Sequence, residues 1–518
     1  MQDIISTPPS SYWIASTQQT NYPRLADNIK TDVAIVGGGI VGILCAYFLS
    51  NQGVKTAVFE ADKILKGTTG HTTAKITSQH ELRLQKIQQI SEEYATQYAA
   101  ANETAIKMFD NIIKQHNIDC NFIWDCAYVY TRQENYIQQI QKETEIASYL
   151  GITASYLQST PLPLDIKAAV RFDNQAKFHP RKFLLPLADI VAKSGSNIFE
   201  QTRIVDLEHE NNTYYLKTID NLQITADKVI IASHYPFFNK AALYFSRIYP
   251  ERSYIVAIKA KENYPGGMYI TAETPPGRSI RSQQTENGEI ILVAGEHHKT
   301  GQGEDTINHY KNLVLFAKEH FTVTDMPFHW SAQDCMSVDE IPLVGHYTDD
   351  TENLFVATGF GKWGMSNGMA SAMLLSDLVL GKPNQWQDVY SPSRHTIMAS
   401  AKTFVVENAN VAKELIKGKL ESVPNNVEIK NGDGKVIDVN GQRAGAYRDE
   451  QGKLHIVNTT CTHMGCELNW NSAEKSWDCP CHGSRFSIDG DIIEGPAVRH
   501  LDMDEHTDTL EKLFKDEY

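Results

Sequence analysis

The stretch TDVAIVGGGIVGILCAYFLSNQGVKTAVFE, residues 31–60, decides how this chain begins to fold. Val33 to Val36 form a short β-branched apolar run, the pattern of a buried parallel strand. Gly37, Gly39 and Gly42 follow as G-x-G-x-x-G, and Ile40 to Leu49 continue as an apolar helix. Lys55 to Phe59 give a second strand that ends on Glu60. Together these make a βαβ unit that binds a dinucleotide. Gly37 permits the tight turn, Gly39 lets backbone approach a pyrophosphate, and Gly42 lets the helix pack on the strand. The helix N-terminus offers free N–H groups and a positive dipole end to phosphates. Glu60 has the lone pairs to accept both ribose hydroxyls of an adenosine.

The 518 residues suggest more than one domain, and 42% hydrophobic residues can bury a large core. A net charge of −15 argues against nucleic acid and against an anionic membrane surface. No apolar run reaches the length of a transmembrane helix. The opening MQDIISTPPSSYW lacks the basic start and apolar stretch of a signal peptide, so the expected location is cytoplasmic. Of eight cysteines, Cys45, Cys120, Cys126 and Cys335 are scattered, whereas Cys461, Cys466, Cys479 and Cys481 crowd together.

Residues 1–30 read as an extended arm. After Glu60, the segment ADKILKGTTGHTTAKITSQH is rich in small and hydroxylated residues, which suits a loop running close to a cofactor. Residues 82–115 read as one long amphipathic helix or a helical pair, 122–130 as a strand, and 136–150 and 181–194 as helices. Residues 198–210 and 214–218 suggest a hairpin, and 227–233 another buried strand. Runs between 253 and 294, separated by glycine and proline turns, suggest an antiparallel sheet. Residues 354–358 form a strand that meets a Gly-rich turn and an apolar helix to Leu380. A helix is expected over 396–420, ended near Pro424 and Asn425, and then short β-rich runs at 427–430, 434–439, 442–448 and 453–458.

With these pieces in order, residues 1–390 resemble the D-amino-acid oxidase and glycine oxidase superfamily of FAD-dependent oxidoreductases. The motifs that carry the resemblance are VAIVGGGIVGILCAYFL with Glu60, GTTGHTTAK, FHPRKFLLPLA, DKVIIAS and DEIPLVG with LFVATGFGKWGMSNG. It implies an α/β FAD-binding domain, Rossmann-like and of glutathione-reductase type, with an α+β substrate domain. It also implies that Gly37, Gly39 and Gly42 contact the FAD pyrophosphate and Glu60 the ribose. Thr68, Thr69, Thr72, Thr73 and Ala74 would pass the pyrophosphate and flavin, and Val205 would flank the adenine. Gly361, Gly364, Met365 and Ser366 would lie by the flavin pyrimidine edge. Family members hold a substrate carboxylate with an arginine. Arg278 and Arg281 lie in the corresponding region, and exposed sheet-edge arginines are the alternative. His71 is either a covalent flavin anchor or a hydrogen-bonding loop residue, and Trp363 either covers the flavin or fills core.

Past the connector, residues 391–424, the segment CTHMGCELNWNSAEKSWDCPCHGSRF places Cys461-x-His463 fifteen residues before Cys479-x-x-His482. Two thiolates and two imidazoles suit zinc or a [2Fe–2S] cluster. The additional Cys466 and Cys481 and the tight loops around Gly465, Pro480 and Gly483 favour the cluster. The whole resembles the Rieske ferredoxin motif, which implies a small all-β Rieske [2Fe–2S] domain over 425–518. By that resemblance Cys461 and Cys479 bind one iron, His463 and His482 bind the other through Nδ1, and Cys466 and Cys481 form a disulfide. Quinol-oxidising members carry a serine after C-P-C-H-G and a tyrosine two residues on; here these are Ser484 and Phe486.

The expected protein is a flavoprotein that oxidises a small amine, amino acid or related substrate. It would pass electrons singly to its own cluster and on to an external acceptor, with exposed His463 and His482 as the exit. From Pro424 onward 18 acidic side chains face 10 basic ones, which suits a basic redox protein as acceptor or simply solubility. An O₂-using oxidase with a structural Rieske domain, and a non-enzymatic electron-transfer or redox-sensing protein, are the alternatives. The two cofactor sites are expected on separate domains.

Overall fold

The computed structural model describes residues 7–238, 242–303, 305–394, 397–421, 423–424, 428–439 and 442–501. The start of the N-terminal arm, residues 425–427 that open the expected C-terminal domain, and the tail beyond 501 lie outside them.

The βαβ unit read from residues 31–60 is the centre of an eight-stranded sheet. Strand Ile29–Val36 pairs in parallel with Thr56–Phe59 on one side and Gln223–Ile231 on the other. Leu354–Thr358 extends it in parallel beyond Gln223–Ile231, and Leu343–His346 closes that edge antiparallel. Every residue of Thr56–Phe59 and Leu354–Thr358 is buried, as continuous apolar runs require in a sheet covered on both faces. The helices Ile40–Ser50, Pro180–Lys193 and Gly364–Val379 cover one face, and the strands Ile204–Glu210 and Thr213–Thr218 with Tyr235 and Tyr244 cover the other.

The expected hairpin is shorter than its sequence suggests. Asn197–Phe199 joins the parallel sheet beside Thr56–Phe59, and only Ile204–Glu210 and Thr213–Thr218 pair as a hairpin. Glu200 separates them. Its buried carboxylate accepts from the amides of Ile64 (2.9 Å) and Tyr22 (3.1 Å) and pairs with Lys63 (2.8 Å). The chain must turn there to satisfy that charge.

A second, nine-stranded sheet carries the other half of the fold. Its antiparallel part, Ile248–Ala260 with Gly288–Lys299 and Arg278–Thr285, matches expectation. Met268–Thr271 joins it antiparallel to Arg278–Thr285 and on its other side pairs in parallel with Ile123–Thr131. The longest strand, Val323–Ser337, has no counterpart in the sequence reading. The helical pair is real: Arg83–Ile90 and Glu92–His116 break at Ser91, whose hydroxyl caps the second helix on the Tyr94 amide (3.3 Å). Glu92 and Glu93 in its first turn and Lys114 and His116 in its last suit the helix dipole.

The N-terminal arm folds as a short helix, Tyr12–Ala15, rather than staying extended. Trp13 is wholly buried, and its indole N–H donates to the Thr72 carbonyl (2.7 Å). Burying such a side chain contributes roughly 2–3 kcal/mol and fixes the loop after Glu60.

After the helix Ile397–Leu420 come two small antiparallel sheets. One holds Gly434–Val439, Gln442–Arg448 and Leu454–Asn458; the other Asn469–Asn471, Ser476–Asp478, Arg485–Phe486 and Ile492–Glu494. Residues 428–430 form no strand, although Ile429 is buried and its carbonyl accepts from Arg448 (2.9 Å). Among the described residues no helix is long and apolar enough to cross a membrane.

Candidate cofactor sites

The carboxyl ends of the parallel strands open into a cavity of about 1080 Å³. The three motif glycines stand differently towards it. Gly37 has φ +111°, and a Cβ there would meet the Ala232 carbonyl at 2.4 Å. A Cβ on Gly42 would meet the Gly37 carbonyl at 1.9 Å. Those two are demanded by backbone packing. A Cβ on Gly39 meets only Thr69 Oγ1, at 3.3 Å, on the cavity side. Glu60 accepts from the Gly38 amide (2.8 Å) and the Asp62 amide (3.0 Å) while lining the cavity. Burial raises its pKa, and the two amides hold it down in part.

Thr68, Thr69, Thr72 and Thr73 line the same cavity, as do Gly364 and Met365 at the start of the second helix aimed at it. Four expected contacts stand behind its wall. Gly42 is taken up by packing. Ala74, at φ +55°, turns its carbonyl onto Arg281 (2.9 Å). Gly361 backs onto Arg83. Val205 lies off the wall, which is formed there by Thr202, Arg203 and Ile204. Ser366 faces a small side recess with Lys75 and Trp363, and donates to the Thr77 carbonyl (2.7 Å).

Neither arginine is an exposed sheet-edge residue. Arg278 lines the cavity, bound to Glu296 (2.5 Å). Arg281 is wholly buried beneath residues 68–74, held by Ala74 and Gln283 (2.8 Å), and burial pulls its pKa down to about 9. Arg281 thus props the loop. His71 lines the cavity, and its Nδ1 lies 2.9 Å from the Gly67 carbonyl. The sequence reading missed Lys75. It ends the very loop that was read for its small residues, lines the cavity, and donates to the Tyr269 carbonyl (3.0 Å). Burial, with Arg281 nearby, pulls its pKa down to about 7. Trp363 lines the cavity with its indole nitrogen buried and unpartnered.

The second site is built from two matching loops. Gly465 N–H donates to Cys461 O (2.9 Å) and Gly483 N–H to Cys479 O (3.1 Å), with both glycines at φ +75°. Only glycine adopts that turn without strain. Cys466 and Cys481 are joined as a disulfide that ties the loops together. Cys461 and Cys479 are free, buried and hydrogen-bonded to each other. That bond lowers Cys461 to about 7 and, with burial, holds Cys479 well above the usual thiol range. The sulfurs of Cys466, Cys479 and Cys481 also lie within 4.8 Å of one another, but two of them are spent in the disulfide and offer no thiolate.

The imidazoles of His463 and His482 stand 5.0 Å apart at 90°. Nδ1 of each is buried without a partner, as is Nε2 of His482. Burial lowers them to about 4 and about 3, so both rings are neutral with lone pairs free. Unsatisfied buried nitrogens beside paired thiols fit a soft metal centre with mixed ligands.

One expectation fails here. His482 is not an exposed exit: it is 2% exposed, with its ring against Phe245 of the first half. Gly483 O accepts from Gln333 Nε2 (2.9 Å) and Pro480 O from Gln302 (2.9 Å). The Gln333 carbonyl in turn accepts from Thr68 (3.1 Å) and bonds His234 Nε2 (3.0 Å), both lining the cavity. His463 is only partly covered, and Met464 beside it is exposed.

Residues 32–378 match the family described as FAD dependent oxidoreductase, and 420–505 match the Rieske [2Fe-2S] domain. The Bacillus subtilis (strain 168) protein YhfW, named for a Rieske 2Fe-2S centre, is 41% identical over 96% of this chain and 98% of its own. Glycine oxidase from Geobacillus kaustophilus superposes with a TM-score of 0.59 at 16% identity, covering 71% of this chain and 99% of that one. L-proline dehydrogenase from P. horikoshii gives 0.57 at 18%, covering 71% and 97%. At such identity these two show the shared fold of the first half.

Proposed function

Since the chain belongs to the FAD-dependent oxidoreductase family and carries a Rieske [2Fe–2S] domain, we propose that it oxidises a small amine or amino acid and relays the electrons through its own cluster to an external acceptor. In this reading residues 1–390 form the flavin half, 391–424 the connector and 425–518 the cluster half, in the cytoplasm. When bound, FAD supplies two-electron hydride acceptance and the cluster one-electron acceptance. Backbone N–H groups at residues 37–39 and the carboxylate of Glu60 would hold the dinucleotide. The loop of Thr68, Thr69, Thr72 and Thr73, with Gly364 and Met365, would flank the flavin. Cys461, His463, Cys479 and His482 would hold the cluster. The amine class rests on the two structural neighbours, whose names are those of amino-acid enzymes.

The observation that carries the relay is Gln333. It touches the Gly483 carbonyl beside His482 and, through its backbone, the loop at Thr68. One buried residue therefore joins the ligand loop to the cavity wall. Electrons would enter on the His482 side and leave by the partly open His463 and Met464 side. At the substrate end, Arg278 is bound to Glu296 and Lys362 to Glu251 (2.7 Å). Lys75 is held by a carbonyl instead, and at a pKa of about 7 a share of it is neutral and able to take the proton of a substrate ammonium. Anaerobic mixing with a panel of amines, amino acids and hydroxy acids tests the substrate class. Bleaching of the flavin by an amine or amino acid is expected; bleaching by hydroxy acids alone would refute it.

The centre should sit below the quinol-oxidising potential range. The Ser484 hydroxyl bonds the Cys461 sulfur, which stabilises negative charge there. Phe486 is wholly buried in the same domain and has no hydroxyl to add. Phe486→Tyr should raise the potential by roughly tens of millivolts, read by protein-film voltammetry. An unchanged potential would place residue 486 away from the cluster's hydrogen bonds.

A further inference from the structure

The cavity entered by the glycine turn is not closed by the flavin half alone. Residues 491–498 and His500, on and after the last strand of the cluster domain, form part of its wall. At the Glu60 end, Arg203 donates Nη2 to the Ile492 carbonyl (3.4 Å). Further along, two buried arginines face each other across the seam. Arg252, from strand Ile248–Ala260, reaches Glu494 (3.3 Å) and Glu474 (3.6 Å). Arg485, from the cluster domain, reaches the same Glu494 (3.3 Å) and Asp478 (3.0 Å). Arg252, Glu474, Arg485 and Glu494 all line the cavity as well. Two buried guanidinium groups and three carboxylates thus hold the wall shut, and removing the shared Glu494 leaves two buried cations short of a partner. On the far side of the seam Gly301 lies against the cluster loop, with no room for a side chain. A Cβ there would meet Pro480 N at 2.6 Å and Cys479 C at 2.7 Å.

We propose that the FAD site is bipartite, with the Rieske domain as its lid: residues 491–500 and the Arg252–Glu494–Arg485 seam set how fast FAD leaves. No sequence motif marks these residues, because their role comes only from docking. The inference concerns cofactor retention and holds whether or not electrons pass between the two centres.

The test is FAD release from full-length holoprotein, followed as the rise of flavin fluorescence after dilution. Glu494→Ala removes the carboxylate shared by both arginines. Gly301→Leu pushes the cluster domain off from the opposite side without touching the cavity. Circular dichroism and thermal melting, recorded on each variant, report whether the protein is still folded. Each variant should release FAD about tenfold faster or more. Glu450→Ala, which breaks only an exposed pair with Lys475, should release it at the parent rate. A parental release rate in Gly301→Leu, the more disruptive of the two, would overturn the lid.

Discussion

Gly39→Leu should yield a folded protein that carries its iron–sulfur cluster and no FAD. Gly39 sits at φ −78° and ψ −169°, extended backbone that any residue adopts. Its Cβ position meets nothing but a threonine hydroxyl at 3.3 Å. The fold therefore tolerates leucine, while the side chain fills the space against which a pyrophosphate must lie. The cost to FAD binding should be about 3 kcal/mol or more, over about a hundredfold in Kd. The same change at Gly37 or Gly42 would be uninformative, since each would collide with backbone and damage the sheet itself. Flavin absorbance and thermal melting on the purified variant check both halves of the statement. Normal flavin content would remove the dinucleotide assignment.

His482→Ala should abolish the Rieske EPR signal and lower iron content, while FAD stays bound. The ring is buried, both its nitrogens lack protein partners, and its loop is otherwise complete. The disulfide from Cys466 to Cys481 still ties the two loops, so the domain keeps its fold without the ligand. A cluster with three protein ligands is open to water on one iron and is lost or changed in spectrum. EPR and iron analysis decide it, and an unaltered Rieske spectrum would take His482 out of the ligand set.

Both cofactors were legible because the signals for their candidate sites are local. The glycine spacing, the two flanking strands and Glu60 fall within residues 31–60, and each cluster loop is six residues long. What stayed hidden depends on distant partners. Val323–Ser337 is a polar run with Pro327 inside it; it becomes a strand only by pairing along Ile248–Ala260. Arg281 reads from sequence as a carboxylate-binding arginine or a sheet-edge residue, but it lies under the loop that follows the dinucleotide unit. Lys75 carries an ordinary sequence signature, and only the residues buried around it lower its pKa. His482 reads from sequence as an exposed exit. Docking against Phe245 and Gln333 turns it inward.

The central claim is that electrons taken from substrate pass to the protein's own cluster. Anaerobic stopped-flow mixing with a reducing amine, read at flavin and cluster wavelengths together, tests it most directly. The account predicts that the cluster bleaches along with or just after the flavin, without O₂. It also predicts that Gln333→Leu slows cluster bleaching more than flavin bleaching. A flavin that stays reduced beside an oxidised cluster, and is reoxidised only when O₂ is admitted, would contradict the relay.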